Sequence, residues 1–174
     1  EGVDAPRCIA NSAAAMAWPE AHGDWIRPGI MLYGASPIGQ PDLQAKLKPV
    51  MTFEAGLIAI RDLAPGESIG YGARFTCERP TRVGVVAAGY ADGYPRHAPD
   101  GTPVAVRNQL ARIVGRVSMD MLTVDLNQIP DAKLGDRVEL WGKQVLANEV
   151  AVRCRTISYE LFIRVNRRVH FLNR

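Results

Sequence analysis

From Met51 to Leu140 the chain is a succession of short β-type segments, each closed off by glycine, proline, aspartate or asparagine. This spacing constrains the fold more than any other feature. Short strands interrupted this regularly by turn formers build a β-barrel or a β-sandwich. Met51 to Arg61 is long and apolar, with β-branched residues towards its end. Leu63 to Glu67 is a turn centred on Pro-Gly. Thr81 to Ala88 is valine-rich, and Val104–Val106, Ala111–Val114, Met121–Leu126 and Arg137–Leu140 follow. Val145–Arg153 and Ser158–Val165 read as short helices, the second opened by Ser158 as N-cap with Glu160 in its first turn. Arg168 to Leu172 alternates and is expected to close the sheet.

The first 34 residues differ in kind. Arg7 to Ala10 reads as a short buried strand. Asn11 or Ser12 then caps the alanine-rich run Ala13–Trp18, a helix former. Ile30 to Tyr33 reads as a second apolar strand. Strand, loop and helix start are the units from which α/β barrels build their active faces. Turn formers crowd into Ser36–Pro41, which marks a change of domain. The expected division is an α/β piece over residues 1–42 and a β-rich domain over 43–174.

Composition narrows the function classes. Of 174 residues, 47% are hydrophobic and 22% charged, so a packed core is expected and disorder is not. A net charge of +3 points to no nucleic acid, and the arginines gathered near the C-terminus read as a solvated or interface-facing surface. Cys8, Cys77 and Cys154 form no C-x-x-C pair, which argues against a disulfide framework or a zinc ribbon and fits a reducing cytoplasm. His22, His97 and His170 lack metal-ligand spacing, so no metal is expected. No apolar run is long enough for a membrane helix. Glu1 is not a methionine, and the chain is read as part of a larger protein.

Several residues carry possible chemistry. Ser12 offers a hydroxyl at a helix start, and Gly29-Ile30 offer backbone N–H groups after Pro28, which has none; phosphate cradles use such donors. Read alone, Ser12 is more often a plain N-cap, Gly29 a turn and Arg27 a salt-bridging residue. Tyr71 stands between two glycines, which leave its ring open to a neighbour. Alone it reads as a half-buried sheet tyrosine. The run Gly-Tyr90-Ala-Asp-Gly-Tyr94-Pro-Arg96 contains a tight Asp-Gly turn. Arg116 and Met119 belong to Val-Gly-Arg-Val-Ser-Met-Asp, and Ile157 and Tyr159 to Thr-Ile-Ser-Tyr-Glu. Met119, taken alone, reads as core.

Taken together and in this order, these motifs resemble those of the alanine racemase family, from about Ala10 to Arg168, most closely the catabolic, short-chain bacterial type. The resemblance implies the last part of a (β/α)8 barrel joined to a C-terminal β-rich domain. It implies pyridoxal 5'-phosphate (PLP) as cofactor and interconversion of L- and D-alanine by two proton-transferring groups. One is Tyr71; the other is a lysine that the family carries upstream of these motifs. A tyrosine serves as a base near neutral pH only where a nearby cation in a dry site stabilises its phenolate. Lys46, Lys48, Lys133 and Lys143 all read as surface residues.

The resemblance also implies roles. Ser12, Gly29, Ile30 and Tyr159 would hold the cofactor, with Arg27 facing the pyridine nitrogen. An arginine carries only donors, so it keeps that nitrogen unprotonated and the ring a weaker electron sink, favouring simple proton return. The Met119 N–H would take the substrate carboxylate, and Tyr90, Arg96, Arg116 and Ile157 would line the substrate corridor. The implied assembly is a head-to-tail homodimer with shared sites, completed by the N-terminal barrel portion. One departure is visible: Cys8 stands where the family often has a histidine. The rival readings are a broader-specificity amino-acid racemase, a decarboxylase of the same architecture, against which the Tyr71 motif argues, and a non-catalytic β-barrel binding module.

Overall fold

The computed structural model describes residues 4–39, 41–44 and 46–173. It divides into two compact units, Glu1–Met51 and Thr52–Arg174.

The first unit is a strand–helix–strand piece. Strand β1 (Ala10–Asn11) runs parallel to β2 (Ile26–Arg27), with Ala10 opposite Ile26 and Asn11 opposite Arg27. Helix α1 (Ser12–Ala17) lies between them in sequence, as a parallel pair requires. Asn11 is its cap: the side chain accepts from the Ala14 N–H at 3.0 Å. Pro19–Ala21 adds a single 3₁₀ turn, and α2 (Pro41–Gln44) is a short helix near the end of the unit.

Two strand expectations fail here. Only Ala10 of the Arg7–Ala10 segment lies in a strand, and Arg7, Cys8 and Ile9 are exposed. The Arg7 backbone is spent on a loop instead, donating to the Asp24 carboxylate at 2.7 Å and accepting from the Asp24 and Trp25 N–H groups. Ile30–Tyr33 is a 3₁₀ turn, not a strand. Gly34, in the left-handed region at φ 80°, closes it by donating to the Ile30 and Met31 carbonyls. A Cβ on Gly34 would strike the Lys48 carbonyl and lie 2.7 Å from the Pro49 Cα, so the turn depends on glycine.

The second unit is built on a closed antiparallel barrel. Its strands are β3 (Phe53–Leu63), β6 (Thr81–Val86), β7 (Pro103–Val106), β8 (Gln109–Ile113), β9 (Leu122–Asp125) and β10 (Arg137–Trp141). Around the barrel the order is β10-β3-β6-β9-β8-β7, and β7 pairs back onto β10. Leu57, Val83, Val86, Val104, Val106, Ile113, Val124, Val138 and Leu140 are buried. The interior is full: a Cβ on Gly84 would come within 2.6 Å of Leu57 and 2.9 Å of Leu126. Trp141 packs its ring 4.7 Å from Phe53 and 5.8 Å from Tyr94.

Outside the barrel, β4 (Ser68–Ile69) and β5 (Phe75–Thr76) form a separate hairpin. Ile69 and Phe75 from it pack with Cys77, Val83 and Val114. Helices α3 (Ala147–Arg153) and α4 (Ser158–Arg164) follow β10. Ser158 is not the cap of α4; Ile157 occupies that position and Ser158 is buried in the first turn. Arg168–Leu172 is not a strand. Pairing of β10 with both β3 and β7 leaves the barrel no free edge to close.

Candidate active site

In the first unit the expected cofactor residues gather where the parallel strands end. Ser12 follows β1 and is buried; its Oγ accepts from the Gly29 N–H at 2.7 Å. The hydroxyl hydrogen remains available for donation. Gly29 is exposed, and a Cβ added there would meet only Ser12 Oγ, at 3.7 Å. Ile30 opens the 3₁₀ turn and is buried. Arg27, at the end of β2, is exposed and its Nη2 donates to the Ile9 carbonyl at 3.2 Å. A free hydroxyl hydrogen and a cation at the C-terminal ends of parallel strands, beside a glycine that leaves the space open, fit a phosphorylated ligand. Cys8 is exposed and unpaired in a disulfide.

In the second unit Tyr71 does not sit half-buried in a sheet. It occupies the tip of the β4–β5 hairpin, in the 3₁₀ turn Tyr71–Ala73, with 72% of its surface exposed. The turn is bent by Gly70 (φ 75°), Gly72 (φ 72°) and Ala73 (φ 48°), all in the left-handed region. Two glycines let the hairpin lie flat on the segment that holds Arg116. A Cβ on Gly70 would come 3.2 Å from the Arg116 nitrogen, and one on Gly115 would come 3.0 Å from Ile69. Tyr71 and Arg116 are thereby carried by abutting backbones.

The Tyr90 turn and the Met119 loop are likewise joined. The Tyr90 N–H donates to the Ser118 carbonyl at 3.0 Å and the Ala91 N–H to the Met119 carbonyl at 2.9 Å. Gly89 lies directly against those carbonyls, where a side chain would collide with both. Met119 is not core: it is 52% exposed. The Arg96 guanidinium stands 6.0 Å from the Tyr90 ring centre, at the outer range of a cation–π contact. A cavity of about 330 Å³ is lined by Tyr90, Tyr94, Arg96, His97 and Arg164. Ile157 and Tyr159, at the start of α4, are exposed. The four lysines are exposed as well.

Several groups here were not singled out by sequence reasoning. Asp92 accepts the Gly89 N–H at 2.8 Å. Arg168 donates to Asp120 at 2.6 Å and lies 3.5 Å from Asp92. The Asp120 hydrogen bond first, then the Asp92 charge, raise its affinity for its proton above the ordinary arginine value. His97 Nε2 bonds the Cys154 carbonyl at 2.9 Å. Only the Asp92 contact, three residues along the chain, had a local signal in the Asp-Gly turn. Burial, with the nearby Cys154, pushes the Tyr94 phenol far above its usual range, so Tyr94 stays neutral as a packing residue. Burial pushes the Cys154 thiol up to about 11. A larger cleft of about 610 Å³ lies between Arg74, Arg79, Asp100 and Arg112, but it holds none of the expected site residues. Two of its arginines are already paired, Arg74 with Asp100 at 3.6 Å and Arg112 with Asp125 at 3.0 Å.

A parallel strand–helix–strand piece with a phosphate-type donor set, followed by an antiparallel barrel with a tyrosine on a hairpin tip beside it, is the arrangement of the class of proteins that join an α/β barrel to a β-domain. Family models make the assignment narrower. The alanine racemase C-terminal domain matches residues 50–172, and the alanine racemase N-terminal domain matches residues 2–37. The chain belongs to the alanine racemase family. It is 61% identical over 166 residues to an alanine racemase of Azoarcus sp. (strain BH72), covering 95% of this chain and 46% of that protein. It is 58% identical over 168 residues to one of Pseudomonas syringae pv. syringae, covering 96% and 47%. Among solved structures, the biosynthetic alanine racemase of Pseudomonas aeruginosa superposes with a TM-score of 0.91 at 54% identity, over 94% of this chain and 46% of that one. An alanine racemase of Bartonella henselae with covalently bound pyridoxal phosphate gives 0.82 at 33% identity, over 94% and 45%. The chain thus spans just under half the length of these relatives. Among the described residues no helix is long and apolar enough to cross a membrane.

Proposed function

We propose that this chain supplies the second part of a PLP-dependent alanine racemase that interconverts L- and D-alanine. The observation that carries the reading is the match of both family domains, in order, by a chain 61% identical to an alanine racemase. PLP supplies the electron sink that makes the Cα proton of a bound amino acid acidic. The second proton-transferring group is a lysine of the N-terminal barrel portion, and the residues of this chain supply the roles that follow. Ser12, held by the Gly29 N–H, donates its free hydroxyl hydrogen to the phosphate, with Gly29 leaving room beside it, Ile30 offering its N–H and Tyr159 its phenol. Arg27 faces the ring nitrogen and keeps it unprotonated. Tyr71 moves the proton on one face of Cα, and the Met119 N–H holds the carboxylate. Tyr90, Arg96, Arg116 and Ile157 line the corridor.

The working assembly is a head-to-tail homodimer in which Tyr71 and Met119 complete the partner's site. A reducing cytoplasm suits three cysteines that form no disulfide. The family match favours an enzyme over a free-standing binding module. The reading is tested by joining this chain to the family's N-terminal barrel portion, loading PLP and coupling L-alanine turnover to D-amino-acid oxidase. D-alanine formation is expected. A PLP-loaded dimer that forms none would sink the reading, and faster turnover of another amino acid would replace it with a broader racemase. The 174-residue chain by itself is expected to be inactive, since it spans just under half the length of its relatives and its four lysines are all exposed.

A further inference from the structure

We propose that Arg168, together with Asn166, is a positioning residue that holds the Met119 loop in register for substrate. The inference rests on the role given above to Met119. The two segments concerned are irregular. The Tyr90 turn and the Ser118–Met121 loop share backbone bonds, but neither belongs to the barrel ladder. Each presents one carboxylate, Asp92 from the turn and Asp120 from the loop, and both meet the Arg168 guanidinium. Its Nη2 is 2.6 Å from Asp120 Oδ1 and its Nε 3.5 Å from Asp92 Oδ1. The other Asp92 oxygen already holds the Gly89 N–H, so the turn is fixed from both sides.

Asn166 completes the clamp. Its Nδ2 donates to the Ala91 carbonyl at 2.6 Å, and its Oδ1 accepts from the Arg168 N–H at 3.0 Å. Gly93 brings the backbones close, since a Cβ there would come within 2.8 Å of the Val165 nitrogen. A planar guanidinium reaches two carboxylates on two segments at once; an ammonium acts as a point charge. The Arg168 and Asp120 side chains are 52% and 54% exposed, and pairs exposed to this degree add little to stability. What the arrangement sets is geometry. A binding group displaced by about 1 Å loses much of its effect.

The test uses Arg168→Ala and Arg168→Lys, both in this chain and in the enzyme completed with the N-terminal portion. In the chain, hydrogen exchange at the Tyr90 and Ala91 amides is expected to quicken by about tenfold in Arg168→Ala, with the barrel amides unchanged. In the enzyme, KM for alanine is expected to rise about tenfold with kcat altered far less, because a carboxylate contact is made in ground and transition states alike. Arg168→Lys should recover part of both effects. Asp120→Ala should give the same KM change, and the double variant should add little. Unchanged exchange at Tyr90 and Ala91 would overturn the clamp. Quickened exchange with unaltered KM, or kcat and Tm falling together at constant KM, would overturn its positioning role. A wild-type enzyme without racemase activity would instead bring down the reading of the site, while the exchange measurement still decides the clamp.

Discussion

At the scale of single residues, Tyr71 and Arg27 carry two separate tests of the proposed chemistry. Tyr71 is 72% exposed on its hairpin tip. In the completed enzyme Tyr71→Phe should remove proton transfer on one face only. Cofactor binding should persist, and exchange of the Cα proton with deuterated solvent should slow far more for one alanine enantiomer than for the other. Equal slowing of both would count against the role. Arg27 tests the electronic argument. A carboxylate in its place favours a protonated ring and a stronger electron sink. Arg27→Glu should therefore lower racemisation and raise transamination, read as pyruvate formed from alanine. A folded, PLP-loaded variant that makes no pyruvate refutes that argument.

At the scale of elements, the β4–β5 hairpin separates presentation from stability. Its tip bends through Gly70 at φ 75°, beside the Arg116 nitrogen. Gly70→Ala is strained there and forces the hairpin off the Arg116 segment. The barrel takes no strand from this hairpin, although Ile69 packs on Val83, so kcat should fall by about tenfold or more while the thermal midpoint falls only in part. A large loss of stability with normal kcat would show the reverse. The C-terminal end of α3 offers a pH test. Cys154 caps that helix and its buried thiol is raised to about 11 from an ordinary 9.0. The unfolded chain loses this proton first, so the stabilising effect is whole below about pH 9 and is lost as pH rises towards 11. The loss is on the order of 2 kcal/mol, joined above about pH 10 by Tyr94, whose proton is held more tightly still. Urea midpoints should fall across this window, and Cys154→Ala should flatten the slope.

At the scale of the whole molecule, the proposed head-to-tail dimer makes a prediction that no single chain can mimic. A Tyr71→Phe enzyme and an enzyme lacking the cofactor lysine should each be inactive. Mixed under conditions that exchange subunits, half of the dimers are hybrids, and each hybrid has one intact site. Activity should recover to about a quarter of wild type. If Tyr71 served the cofactor of its own subunit, mixing would restore nothing.

The sequence by itself determined the six barrel strands and the two helices of the β-domain, and the position of each motif along the chain. Alternation and turn residues act over a few positions, so six barrel strands are legible to within a residue or two at most ends. Family membership was also legible, since motif order survives without coordinates. Where local pattern was ambiguous it misled: four apolar residues from Ile30 to Tyr33 suit a strand, but Gly34 and its close approach to Lys48 close them into a turn. Tertiary structure alone decided that β10 returns to β7 and β3, that Tyr71 and Met119 face outward, and that Arg168 joins Asp92 to Asp120 instead of adding a strand. The reason is distance along the chain. Asp120 and Arg168 are 48 residues apart, and Ala91 and Asn166 are 75 apart. Such contacts form only once the barrel has brought its loops together, and no short-range pattern encodes them.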